Sequence, residues 1–86
     1  MLPAERAQTI RLRLQEKFSP TALEVIDDSA DHIGHAGSRD GAGHYTVVIS
    51  ATAFKEKSRI DTHREIYAVL ADLIPHEIHA LIIKIT

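Results

Sequence analysis

Two segments in the second half of the chain dictate what it can fold into. Residues 44–50, HYTVVIS, place Tyr45, Val47 and Ile49 on one face and Thr46, Val48 and Ser50 on the other, and residues 78–85, IHALIIKI, are apolar almost throughout. Both patterns read as strands. Between them Ser58 is a candidate N-cap for a helix running to Leu73 or Ile74, Asp61 in its first turn suits the helix dipole, and Pro75 ends it. A helical connection favours a right-handed crossover if the two strands are parallel in one sheet. The near-continuous apolarity of the last strand fits a central or doubly covered position.

The first half supplies the partners. Pro3 to Lys17 suits a helix whose apolar face carries Ala7, Ile10, Leu14 and Phe18, with Ser19-Pro20 as its stop. Leu23 to Ile26 reads as a short strand that pairs antiparallel with His44–Ser50 across a long loop. That loop, Asp28 to Gly43, holds all four glycines together with His32 and His35. Long loops in compact domains are more often functional or disordered than accidental. Ala51 to Lys55 reads as a helical turn, and Ile60, Ile66, Tyr67, Leu70, Leu73 and Ile74 are expected to form the buried stripe of the long helix. The predicted order is α-β-β-α-α-β, an α+β domain spanning residues 1–86 with a three-stranded sheet and helices packed on one face.

The chain has six histidines (32, 35, 44, 63, 76 and 79) and no cysteine. Disulfides, thiol redox motifs and a self-contained thiolate cluster are therefore excluded. A formal net charge of −2 makes nucleic acid a poor default partner. No apolar run approaches the ~20 residues that cross a bilayer, so no membrane role and a cytoplasmic location are expected. No P-loop, dinucleotide fingerprint or nucleophile motif is present, and the chain is not expected to be an enzyme.

Two HxxH spacings occur, His32/His35 in the loop and His76/His79 at the helix-to-strand turn. His79 is the more notable, because a polar residue bordering a buried strand must be hydrogen-bonded, exposed at the sheet end, or used. His32 lies on a loop able to fold back toward that end, and His35 is its rival. His44 and His63 read as structural. Lys55, Lys57, Arg59 and Arg64 gather around the start of the long helix as candidate nucleic-acid contacts. A zinc or copper site made from histidines alone is a third possibility.

Taken together, these stretches resemble the BolA family over about residues 10–85. The residues that carry the likeness are Ile10, Leu14, Phe18 and Pro20, then LEVIDDSADH (23–32), HYTVVIS (44–50), Phe54, His63-Arg64, IYAVLADLI (66–74) and IHAL (78–81). The resemblance implies the αββααβ arrangement of class II KH-like domains. It also implies a non-enzymatic partnership with a monothiol glutaredoxin, sharing a [2Fe–2S] cluster in iron–sulfur trafficking or iron-dependent regulation. Some members are linked to transcription, stress response and cell shape, so a DNA-binding regulator is the alternative.

Carried over by position, His79 matches the family's histidine ligand and His32 its variable loop ligand. The glutaredoxin cysteine and glutathione would supply the remaining ligands, and no cofactor is expected in the isolated apo protein. Imidazole in place of thiolate makes a cluster less negative and raises its potential. Two departures stand out. Glu56 occupies a position usually glycine, and Thr62 one usually arginine, which is expected to remove a positive charge from the helix facing DNA.

Overall fold

A computed structural model describes residues 1–32 and 41–86, the side chains of residues 31 and 32 excepted. The helix α1 covers Pro3–Phe18, strand β1 Ala22–Asp27, strand β2 Gly43–Ser50, helix α2 Arg59–Leu70 and strand β3 Ile78–Ile85. Short 3-10 segments lie at Ser29–His32, Thr52–Phe54 and Ala71–Leu73. The first helix of the expected αα pair is thus the single turn Thr52–Phe54.

Local chemistry accounts for the boundaries. Pro3 opens α1, where its missing N–H costs no helical hydrogen bond, and Ser19 closes it in a left-handed conformation (φ 45°), its N–H donating to the Gln15 carbonyl at 3.0 Å. Ser58 caps α2 by accepting from the Asp61 N–H at 3.1 Å. The 3-10 turn Thr52–Phe54 lowers Phe54 into the core, where its ring meets Phe18 edge to face at 4.9 Å.

The sheet order is β1-β2-β3, with β1 antiparallel and β3 parallel to the central β2. Tyr45, Val47 and Ile49 of β2 are buried against Ile10, Leu14 and Phe18 of α1 and Ile66 and Leu70 of α2, so the helices cover one face. This is the expected mixed-sheet α+β arrangement.

Two expectations are corrected. β3 is an edge strand, not a central or doubly covered one. Ile78 is in the core and Leu81, Ile83 and Ile85 pack against it, whereas Ile82 is 56% exposed on the other face. Its apolarity therefore does not report two-sided burial. The buried stripe of α2 is Thr62, Ile66 and Leu70, with Leu73 beyond it, while Ile60 and Tyr67 are exposed at 64% and 41%. Thr62 lies on the inner face, its hydroxyl donating to the Ser58 carbonyl at 3.0 Å. The residue at position 62 therefore takes no charge away from the outer surface of α2.

Candidate functional site

The entry to β3 is irregular, and that irregularity builds the histidine site. Gly43 pairs with Ile78, but His44 pairs with Ala80, so His79 is an extra residue in the ladder. The burial pattern reports the same break. Ile78 is in the core with Leu81, Ile83 and Ile85 packed against it, yet residues three apart in a regular strand face opposite ways. A bulge absorbs the mismatch and re-aims a side chain. Here it leaves His79 exposed and sets its ring 5.2 Å, centroid to centroid, from that of His44 with the planes 53° apart.

His44 is held from the β1 side. Its N–H donates to Ser29 Oγ at 3.1 Å and its carbonyl accepts from the Asp28 N–H at 2.7 Å. The Asp28 carboxylate also accepts from the Thr46 hydroxyl on the same strand. His44 is 7% exposed, so the pair presents one sheltered and one open imidazole. The sequence pattern read His44 as structural, and only the bulge, which has no signature in the side-chain pattern, brings His79 alongside it.

Behind the site, Arg6 of α1 donates from Nε to Glu77 Oε2 at 2.6 Å and from Nη1 to the Gly41 carbonyl at 2.7 Å. The hydrogen bond from Arg6 holds the Glu77 carboxyl below the usual glutamate range. Burial pushes the neighbouring Tyr45 hydroxyl above the usual tyrosine range, and the Asp27 charge adds to the shift.

His32 ends the first 3-10 turn, but its side chain and the whole of His35 lie outside the described residues. His76 precedes the strand and His63 is half-buried on α2. Among the described residues, no three His, Asp or Glu side chains converge on a metal position.

The basic residues fall elsewhere. Arg59, Arg64 and His63 border a groove of about 480 Å³ whose apolar lining is Ile60, Tyr67 and Ile83. The Tyr67 hydroxyl donates to the Leu81 carbonyl at 3.0 Å, covering part of the edge of β3. Lys57 is paired with Glu65 at 2.7 Å and Arg64 stands 3.9 Å from Asp61. Lys55 lies at a separate hollow beside Thr52 and Thr86. No helix among the described residues is long and apolar enough to cross a membrane.

A family profile described as BolA-like protein matches residues 14–86. The chain is 40% identical over 81 residues to SufE-like protein 1, chloroplastic/mitochondrial, of Arabidopsis thaliana, a match covering 88% of the chain but only 22% of that longer protein. It is 38% identical over 76 residues to the DNA-binding transcriptional regulator BolA of Escherichia coli (strain K12), covering 84% of the chain and 70% of the relative. Among solved structures, the BolA domain of SufE1 from Arabidopsis thaliana superposes with a TM-score of 0.81 at 36% identity, covering 94% of this chain and 90% of that one.

Proposed function

The chain belongs to the BolA-like protein family, and from that premise we propose that it is a non-enzymatic adaptor that joins a monothiol glutaredoxin and shares a [2Fe–2S] cluster with it. The observation that carries this reading is the His44–His79 pair at the bulge of β3. Two imidazoles on one tetrahedral metal, each with a metal–nitrogen distance of ~2.0–2.1 Å, have ring centroids about 5 Å apart, a spacing this pair matches although both ring nitrogens of His44 are buried. His79 is the exposed first ligand. His44 beside it and the loop residues His32 and His35 are the candidates for the second.

A [2Fe–2S] cluster supplies one-electron chemistry and a transferable iron–sulfur unit when bound. The chain's own contribution is nitrogen ligation without sulfur. With no cysteine in the sequence, the thiolates come from the glutaredoxin cysteine and from glutathione. His44 is already ordered by Ser29 and Asp28, which lowers the ordering cost of assembling the site.

The test is to mix the chain with a monothiol glutaredoxin, glutathione, ferrous iron and sulfide. Visible absorption and circular dichroism are compared with those of the glutaredoxin alone, and the complex is sized by native mass spectrometry. A heterodimer with a changed visible spectrum is expected. An unchanged spectrum without a heterodimer would overturn the reading.

A second reading is favoured by the name of the Escherichia coli relative and by the cationic rim of the α2 groove. In it the chain regulates transcription by binding DNA through Arg59 and Arg64, with Lys55 and Lys57 nearby. Pairing of Lys57 with Glu65 weakens the field available for phosphate.

A further inference from the structure

We propose that Arg6 is a positioning residue for the histidine site, fixing from behind the sheet the relative placement of the strand ends that carry His44 and His79. The site's composition alone would not direct attention to α1, which contains no histidine. Yet among the described residues Arg6 is the only Arg, Lys, Asp or Glu that is buried. Burying a guanidinium costs free energy unless its donors are matched, and two of them are.

The two acceptors define its role. Gly41 lies three residues before His44, at the loop's return to β2, and Glu77 two residues before His79. Gly41 adopts φ 75°, a conformation that glycine reaches without a Cβ penalty, and its carbonyl accepts from Nη1. The Glu77 carboxylate accepts from Nε, while its carbonyl accepts from the Gly43 N–H at 3.0 Å. Both the side chain and the main chain of Glu77 are therefore gripped at the point where the ladder starts.

His44 is tied to the end of β1 by Ser29 and Asp28. The entry of β3 is tied at its main chain by the Gly43 N–H on the Glu77 carbonyl, and the bulge interrupts the ladder just beyond that bond, between Gly43 and His44. A guanidinium is a rigid planar fork, so two donors on it hold two acceptors at a set separation, which a single ammonium cannot reproduce. Arg6 thereby adds a side-chain clamp on the covered face of the sheet at the point where the bulge breaks the ladder.

The consequence for cluster binding rests on the proposed function, but the placement of the rings does not, and the two are tested separately. In the apo protein, ¹³C-edited NMR compares the ring-to-ring cross-peak of His44 and His79 in wild type, Arg6→Met, Arg6→Lys and Glu77→Leu. Methyl shifts of Ile10, Leu14 and Val47 report the core.

Arg6→Met with native core shifts is expected to lose the cross-peak, and Arg6→Lys to keep it only in part. An unchanged cross-peak in folded Arg6→Met overturns the proposal. Should Arg6→Met fail to fold, Glu77→Leu decides: a weakened cross-peak supports the positioning role and an unchanged one overturns it. Reconstitution with glutaredoxin, glutathione, iron and sulfide then reads the consequence, as a severalfold loss of the mixed-cluster dichroism in Arg6→Met. Absence of any mixed cluster in wild type would count against the proposed function alone, leaving the apo result to decide the role of Arg6.

Discussion

The ring of His79 lies 5.2 Å from the ring of His44 because β3 carries one residue more than β2 at that point. Replacing His79 with alanine is expected to abolish or strongly change the visible dichroism of a cluster formed with glutaredoxin. His63→Ala, on the opposite side of the sheet, should leave it unchanged. Single substitutions of His44, His32 and His35 identify the second ligand as the one whose loss matches the His79 effect.

Gly43 is required for contact, not for conformation. A Cβ built there would stand 2.7 Å from Cζ of the Tyr45 ring, which is 2% exposed, so the buried ring would have to shift. Gly43→Ala should therefore destabilise the fold by roughly 1–3 kcal/mol, the usual cost of overpacking. A urea titration with an unchanged slope and a lower midpoint is the expected result.

Ser58 is the side-chain cap of α2. Ser58→Ala should cost about 1 kcal/mol and lower the melting temperature by roughly 4–8 °C in a domain of this size. Ser58→Asp, which also accepts from the Asp61 N–H, should retain most of the stability.

Arg13 reaches from α1 to the end of α2, donating to both carboxylate oxygens of Asp72 and at 3.3 Å to the Val69 carbonyl. The hydrogen bond from Arg13 holds the Asp72 carboxyl below the usual aspartate range. A carboxyl whose native pKa is depressed binds protons more readily when unfolded. Its contribution is full above the unfolded value of ~3.9 and is lost as pH falls below that toward the native value. Acid denaturation of Asp72→Asn should show a shallower loss of stability below about pH 4 than wild type. Equal slopes would remove Asp72 from the acid response.

Binding to DNA, if it occurs through the α2 groove, should depend on Arg59, which has no carboxylate within ion-pair distance among the described residues. Affinity should fall linearly in log–log form with salt, and Arg59→Glu should weaken binding and reduce the slope. A salt-independent affinity unaffected by Arg59→Glu would dismiss the regulator reading.

Much of this was legible in the residues. Apolar spacing located α1 and its buried residues Ile10, Leu14 and Phe18, alternation located β2 and the inward set Tyr45, Val47 and Ile49, and Pro75 closed the α2 region. These are local signals, carried by side-chain period and by residues with special backbone preferences. His79 was singled out for the same reason, as a polar residue at the head of an apolar strand.

What only the tertiary structure decided is non-local. The strand order puts β3 at an edge, and so exposes Ile82. α2 is rotated so that Thr62 faces inward and Ile60 and Tyr67 face out. The bulge that joins His79 to His44 arises from matching two strand registers, and the Arg6 fork spans 71 positions of sequence to reach Glu77. Side-chain periodicity specifies which face of an element is apolar. It does not specify how one strand slips against the next, and on that slip the histidine pair depends.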